Sequence, residues 1–249
     1  MPPIESPEAA LPGSAIPLSA PAPESLPQRL LRGTVHFLTY HFALKRRKTT
    51  EAFVAGFRFV VPPTVFHPSL FKTGEYFAGF IGDLDLRGRN VADIGTGSGI
   101  LALAAARAGA SRVIALDINP NAARAADQNA RINGLGDRVA GICSNLMSSL
   151  AARPLFDVIV SNPPYFPGEP RDLADRAWHS GPLHRDIVEL FVQARERLAP
   201  GGRMYVLFST RVDLGFLRTL MKQAGLRSRL ASERSILIDT FVIYELEAG

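Results

Sequence analysis

The chain has 249 residues, of which 47% are hydrophobic and 20% are charged. This is the composition of an ordinary globular protein, and it excludes a wholly disordered or fibrous chain. The 28 basic and 23 acidic residues give a net charge of +5, which favours an acidic partner such as nucleic acid only weakly. The single cysteine, Cys143, excludes an intramolecular disulfide and a cysteine-based metal cluster, and we expect no metal site.

The first 28 residues differ in composition from the rest of the chain. They hold eight of the 19 prolines and three glutamates, but no lysine or arginine. Because proline lacks an amide donor and fixes φ, this segment is predicted to be a disordered tail. It has the features of neither a secretory signal nor a transit peptide, and no apolar stretch is long enough to span a membrane. We therefore expect a cytoplasmic protein with no membrane partner.

Residues 29–80 are predicted to form a small N-terminal unit for substrate recognition. Apolar residues at helical spacing predict a helix over residues 29–44. The basic run at residues 45–48 is interpreted either as the solvated end of that helix or as a patch that contacts phosphate. The sequence FVAGFRFVV, which is followed by two prolines, predicts a strand or hairpin, and residues 73–81 predict a short helix.

From residue 89 onward, strand and helix patterns alternate. The helices are predicted over ILALAAARAGA, residues 119–133, residues 184–198 and residues 211–224. The strands are predicted over NVADIG, RVIALD, RVAGIC, FDVIVSN, GGRMYVLFS and ILIDTFVIYEL, the last as the final strand of a hairpin. This alternation predicts an α/β fold with a doubly wound, parallel sheet covered by helices on both faces.

A glycine-rich loop follows the first of these strands and opens a helix. Its glycines are Gly95, Gly97 and Gly99, and Asp93 precedes them. A strand, glycine turn and helix form a ligand site at the carboxyl end of the strand. The dinucleotide fingerprint places its third glycine one residue later, where this chain has Ile100, and a pyrophosphate disfavours the Asp93 carboxylate. A cationic ligand without phosphate, such as S-adenosylmethionine, tolerates Asp93.

A predicted nucleoside site is completed by four residues, which lie at or just after the ends of the next two strands. Asp117 ends the second strand, 22 residues after Gly95, where a carboxylate can accept hydrogen bonds from both ribose hydroxyls. Ile118 is expected to cover one face of the adenine. Asn145 and Leu146 follow the third strand, and they are expected to reach the adenine edge and its other face.

The fourth strand ends in the sequence Asn162-Pro163-Pro164-Tyr165. The two prolines make a rigid turn without amide donors, so the carbonyl groups of Asn162 and Pro163 stay free to accept hydrogen bonds. The Asn162 side chain adds a further acceptor, and Tyr165 adds a flat aromatic face. These groups suit a planar acceptor that carries an NH2 group and that must be positioned against a methyl donor.

Three motifs resemble class I S-adenosylmethionine-dependent methyltransferases: VADIGTGSG, ALDINP and SNPPY. With the preceding segment, the chain is similar to the HemK/PrmC type, the glutamine N5-methyltransferases of translation termination factors. The resemblance implies a Rossmann-like, seven-stranded, mostly parallel sheet with an antiparallel final strand, and it places Thr73 and Glu75 in the cofactor pocket. The implied cofactor-binding residues are Asp93, Gly95, Thr96, Gly97, Gly99, Asp117, Ile118, Asn145, Leu146, Asn162 and Thr73. The implied catalytic residues are Asn162, Pro163 and Tyr165.

The chain departs from that family in two places. Asn145 stands where the family usually has an acidic residue. The region before the hairpin has room for one helix instead of a helical recognition domain, which indicates a partner subunit or a smaller substrate. A glutamine side chain of a release factor or ribosomal protein is the first predicted acceptor. An adenine or guanine amino group in nucleic acid, a small-molecule amine, and an inactive cofactor-binding scaffold remain alternatives.

The five histidines are interpreted mainly as surface or packing residues. The exception is His179, together with the neighbouring Trp178. Both lie in the loop that follows the Asn-Pro-Pro-Tyr turn, and this loop could close over the substrate.

Overall fold

The computed structural model describes residues 48–69, 72–166, 168–172, 175–236 and 239–249. The predicted tail over residues 1–28, the predicted helix over residues 29–44 and three residues of the basic run lie outside this part of the chain.

A seven-stranded sheet forms the centre of the described chain. Its strands lie in the order β5-β4-β3-β6-β7-β9-β8. Strands β3 to β7 are parallel to one another, whereas β9 is antiparallel to both β7 and β8. The predicted mostly parallel sheet with an antiparallel final strand is therefore confirmed. The strands are β3 (Asn90–Ile94), β4 (Arg112–Asp117), β5 (Val139–Cys143), β6 (Phe156–Ser161), β7 (Leu198–Ser209), β8 (Leu226–Ile236) and β9 (Asp239–Ala248).

The prediction of the last two strands was incomplete. The pattern of ILIDTFVIYEL predicts one strand, but Ile236 ends β8 and Asp239 begins β9. Most of β8 was missed because its sequence, LRSRLASERSI, is polar and largely exposed. Since β8 lies at the edge of the sheet, it lacks the apolar run that marks a buried parallel strand.

Helices cover both faces of the sheet. They are α1 (Lys72–Gly82), α2 (Ile100–Arg107), α3 (Pro120–Ile132), α4 (Arg185–Arg197) and α5 (Leu214–Gln223). Asn119 caps α3 as predicted: its side-chain oxygen accepts from the Asn121 amide at 3.0 Å, and Pro120 opens the helix. Two hydrophobic clusters result, one containing α1, α2 and α3 and the other α4 and α5.

The predicted N-terminal hairpin is present as β1 (Thr50–Val54) and β2 (Phe57–Val61). Phe57 and Phe59 are buried in the same cluster as α1 and α2. The hairpin therefore packs directly on the core, and the predicted domain boundary between residues 80 and 81 falls inside α1.

Asn129 of α3 and Asn133, which caps the end of that helix, bind the free edge of β2 as a neighbouring strand would. The Asn133 side chain accepts from the Arg58 amide at 3.0 Å and donates to the Arg58 carbonyl at 2.7 Å. Asn129 makes the equivalent pair with Val60, at 2.8 Å and 3.2 Å, and also donates to the Ser98 carbonyl at 2.9 Å. Asn129 is fully buried, so it joins the hairpin to the glycine loop through the interior.

No helix in the described part of the chain is long and apolar enough to cross a membrane. Within the same residues, no group of three or more His, Cys, Asp or Glu side chains is arranged to hold a metal ion.

Candidate active site

A cavity of about 880 Å³ opens at the carboxyl ends of the strands. Both predicted loops line it, because β3 and β6 are parallel neighbours in register: Ser161 lies opposite Ile94, and its hydroxyl donates to the Ile94 carbonyl at 2.8 Å. The residues that follow, Gly95 and Asn162, therefore lie side by side at the sheet edge. The predicted site residues that line the cavity are Thr73, Gly95, Thr96, Gly97, Asp117, Ile118, Asn145, Leu146, Asn162, Pro163 and Tyr165.

Gly95 and Gly97 make the glycine loop open toward the cavity. Their φ values are 74° and 56°, in the left-handed region that disfavours other residues. A Cβ at Gly95 would meet no atom within 4 Å, so a side chain there would fill cavity space. The loop is fixed from below by the Leu116 carbonyl, which accepts from the amides of Gly95 and Thr96. This open backbone fits a ligand that lies directly against it, as S-adenosylmethionine is expected to do.

Gly99 has a role beyond the one predicted. It is not among the residues lining the cavity, and it begins α2 with φ of 90°. A Cβ at this position would lie 3.0 Å from the Ala126 Cα, so the glycine allows α2 and α3 to pack closely. The structure thus gives Gly99 a role in helix packing, beside the predicted role in cofactor binding.

Asp93 is also placed beneath the loop instead of in the cavity. It is fully buried, and its Oδ2 accepts from the Thr96 hydroxyl at 2.6 Å and from the Ala102 amide at 3.0 Å. Its Oδ1 has no hydrogen-bond partner among the described residues. Burial raises the pKa of Asp93 to about 7, against the opposing effect of the two hydrogen bonds. Asp93 therefore supports the glycine loop from beneath and is not among the residues that line the cavity.

The raised pKa of Asp93 predicts a pH dependence of stability. The folded state holds the proton up to about pH 7, whereas the carboxyl has an ordinary pKa of 3.8. The contribution of Asp93 to the free energy of unfolding is thus fully present below about pH 4 and is lost as pH rises through about 7. Urea unfolding at pH 5 and pH 8 should show a smaller difference for Asp93→Asn than for the wild type. An equal difference in both proteins would contradict this assignment.

Asp117 is held in place by the backbone at both carboxylate oxygens. Oδ2 accepts from the Gly97 amide and Oδ1 from the Asn119 amide, each at 2.9 Å. Burial raises the pKa of Asp117, although the two amide hydrogen bonds oppose the shift. Each oxygen keeps a second lone pair that can accept a further hydrogen bond, and the binding of ribose hydroxyls by this carboxylate stays a prediction.

The predicted adenine side of the cavity is formed by turns after β4 and β5. Ile118 and Asn145 line it, and Leu146 adopts a left-handed conformation with φ of 50°. Such a conformation is uncommon for leucine and marks a turn that its surroundings must stabilise. The three residues lie where the adenine of the cofactor is expected.

The acceptor side is formed by the Asn-Pro-Pro-Tyr turn and an aromatic wall. The Tyr165 ring packs edge-on against Phe208 at 6.2 Å and against Phe166 at 5.0 Å. Phe166 in turn stacks on Trp178 at 5.8 Å and 13° between planes. Burial, together with the Asp239 carboxylate, raises the pKa of Tyr165. The phenol therefore stays protonated at neutral pH and offers a face for packing, not a base.

Several lining residues were missed from the sequence. Thr64, Val65 and Phe66 line the cavity where the chain leaves the hairpin, and Asn119 donates to the Thr64 carbonyl at 3.0 Å. On the acceptor side, Arg211 and Asp239 line it as an ion pair at 3.2 Å. No local pattern marks these residues; they reach the cavity through tertiary packing.

Of the other residues singled out from the sequence, Glu75 lies away from the cavity and Trp178 lies in its wall. Glu75 is not a lining residue and pairs with Lys72 at 2.8 Å on the surface of α1. Trp178 does line the cavity, as the interpretation of a closing loop required. Its neighbour His179 lies 3.5 Å from the buried Asp175, and His184 is buried with its Nδ1 3.1 Å from the Ser180 hydroxyl.

Comparisons with known proteins concern the part of the chain that carries these loops. The family model for ribosomal protein L11 methyltransferase (PrmA) matches residues 75–163, which include the glycine loop and end within the Asn-Pro-Pro-Tyr turn. A Methanocaldococcus jannaschii protein, provisionally named a protein N5-glutamine methyltransferase, is 26% identical over 183 residues. The match covers 71% of this chain and 91% of that protein. The L11 methyltransferase of Pelotomaculum thermopropionicum is 34% identical over 140 residues, covering 56% of this chain but only 38% of its own length.

The fold is shared with solved methyltransferase structures. The Thermus thermophilus 16S rRNA N2 G1207 methyltransferase, solved with AdoMet and guanosine, superposes with a TM-score of 0.57 at 21% identity. That match covers 81% of this chain and 50% of the other. The sheet order, the open glycine loop, the oriented Asp117 carboxylate and these matches identify the chain as a class I S-adenosylmethionine-dependent methyltransferase.

Proposed function

We propose that the protein methylates a planar NH2 nitrogen, and that its acceptor is a glutamine side chain of a protein, such as a translation factor. The observation that carries this proposal is the position of the Asn-Pro-Pro-Tyr turn, which follows β6 directly beside the glycine loop and lines the same cavity. The cofactor, when bound, supplies an electrophilic methyl group on a sulfonium.

The turn offers several hydrogen-bond acceptors. Pro163 and Pro164 have no amide hydrogen, so neither proline donates to the Asn162 and Pro163 carbonyls. With the Asn162 side chain, they can accept both N–H bonds of an amide and draw its lone pair away from the neighbouring carbonyl group. Tyr165 provides the flat surface on which the amide plane lies. Positioning is then the main contribution of the protein, because an amide nitrogen is a poor nucleophile.

The charge of the cavity favours a protein over a nucleic acid. The charged residues that line it among those described are three basic and three acidic: Lys72, Arg176, Arg211, Asp117, Asp186 and Asp239. A groove that follows a phosphate backbone carries a clear excess of positive charge. The archaeal relative supports the same reading, since this chain spans 91% of a protein named for glutamine methylation.

The proposal is tested by finding which macromolecule in a lysate acquires a labelled methyl group. The purified protein is incubated with methyl-labelled S-adenosylmethionine and a lysate of cells from which its gene has been deleted. We expect label that is sensitive to protease and resistant to ribonuclease, and a 14 Da increase on a glutamine residue by mass spectrometry. Label that ribonuclease removes would instead assign the enzyme to RNA bases, and labelling of neither class would support the scaffold alternative.

A further inference from the structure

The turn after β5 is held by a side chain of α4, which lies far from it in the sequence. Leu146 holds its left-handed conformation in this turn, and the next residue, Met147, is fully buried. The Met147 amide donates to the side-chain Oε1 of Gln193 in α4 at 2.8 Å. This hydrogen bond joins residues 46 positions apart, and it gives a buried amide its partner.

The orientation of the Gln193 amide is itself fixed. Gln193 is buried, and its Nε2 donates to the Glu189 carboxylate one helical turn earlier, at 2.6 Å. With the NH2 group directed to Glu189, the carbonyl oxygen must face Met147. The side chain thus transmits the position of α4 to the turn that presents Asn145 and Leu146 to the cavity.

We infer that Gln193 is a positioning residue for cofactor binding, acting through the backbone of Met147 to hold the turn that contacts adenine. The inference rests on the proposed placement of adenine between Ile118 and Leu146. Gln193 is not among the described residues that line the cavity, so its loss should act on cofactor affinity through the turn and leave the transfer step unchanged.

The test compares affinities for S-adenosylhomocysteine and adenosine by isothermal titration. Gln193→Leu leaves the Met147 amide unpaired, and we expect both dissociation constants to rise about tenfold, equivalent to about 1.4 kcal/mol. Turnover at saturating cofactor should stay within about twofold of the wild type, since the acceptor side is unchanged.

Exchanging the residues at positions 189 and 193 should restore the lost cofactor affinity. In the double variant Glu189→Gln with Gln193→Glu, the new amide at position 189 can donate to the new carboxylate at position 193, which still accepts from Met147. We expect its affinity to return to within about threefold of the wild type. A merely structural loss of packing would not be restored by this exchange.

Arg197→Met serves as the matched control. Arg197 donates to the Leu150 carbonyl at 2.9 Å and to the main-chain carbonyl of Gln193 at 3.2 Å. Its loss therefore loosens the same loop beyond the turn, while the Gln193 side chain keeps its hydrogen bond to the Met147 amide. The control should lower the melting temperature without changing either affinity. An unchanged affinity in folded Gln193→Leu, or an equal loss in Arg197→Met, would overturn the inference. Failure of the proposed glutamine specificity would appear separately, as no methyl transfer to protein with this affinity pattern intact.

Discussion

Asn162→Ala is expected to lower turnover by about a hundredfold or more, while the dissociation constant for S-adenosylmethionine changes by less than about twofold. The variant removes the side-chain oxygen that is proposed to accept from the acceptor NH2 group, and the neighbouring prolines cannot replace it with another side-chain acceptor. Initial rates at saturating cofactor and titration calorimetry measure the two quantities independently.

Asn145→Ala is the matched control for this experiment. Asn145 lines the same cavity, but it lies after β5, on the side where adenine is expected. Its loss should weaken cofactor binding and leave turnover at saturating cofactor near the wild-type value, which is the opposite pattern. If Asn162→Ala turned over normally, the assignment of the acceptor site to the Asn-Pro-Pro-Tyr turn would be wrong.

Asn129→Ala is expected to lower the free energy of unfolding by about 3 kcal/mol. The substitution removes three hydrogen bonds inside the protein, two to Val60 in the hairpin and one to the Ser98 carbonyl in the glycine loop. The backbone groups left behind are largely shielded from water and would lack partners. Cofactor affinity should fall as well, because the loop loses its connection to α3.

Urea unfolding of Asn129→Ala and Asn133→Ala checks this expectation. Asn133 makes the equivalent bonds to Arg58 nearer the surface, where water can replace the lost side chain. We expect a loss of about 1 kcal/mol for Asn133→Ala and no change in cofactor affinity. Equal losses of unfolding free energy in the two variants would show that these asparagine side chains only attach the hairpin and do not support the glycine loop.

The parts of the site that the sequence predicted are those defined by short local patterns. The glycine loop, Asp117 and the Asn-Pro-Pro-Tyr turn each follow a buried strand, and parallel strands bring their carboxyl ends to one edge. Once β3 pairs with β6, the residues that follow these strands, Gly95 and Asn162, lie side by side.

The parts that could not be predicted depend on contacts between distant segments. Gly99 was assigned to the cofactor, although its missing side chain makes room for Ala126 of α3. Asp93 was assigned likewise, although it supports the loop from below through Thr96. Arg211 and Asp239 come from the ends of β7 and β9, and their sequence surroundings carry no motif. The sequence shows the type of each of these residues, but the groups that each contacts depend on tertiary packing.

The position of β9 has a consequence for the order in which the sheet assembles. β9 lies between β7 and β8, so β8 has no strand to pair with until residues 239–248 are in place. Strands β3 to β7 can form earlier as a parallel set, but β7 would expose an unpaired edge. We therefore expect β8 and β9 to join the sheet together as a preformed hairpin, late in folding. Since Asp239 and Phe241 line the cavity, its acceptor side would be completed in this last step.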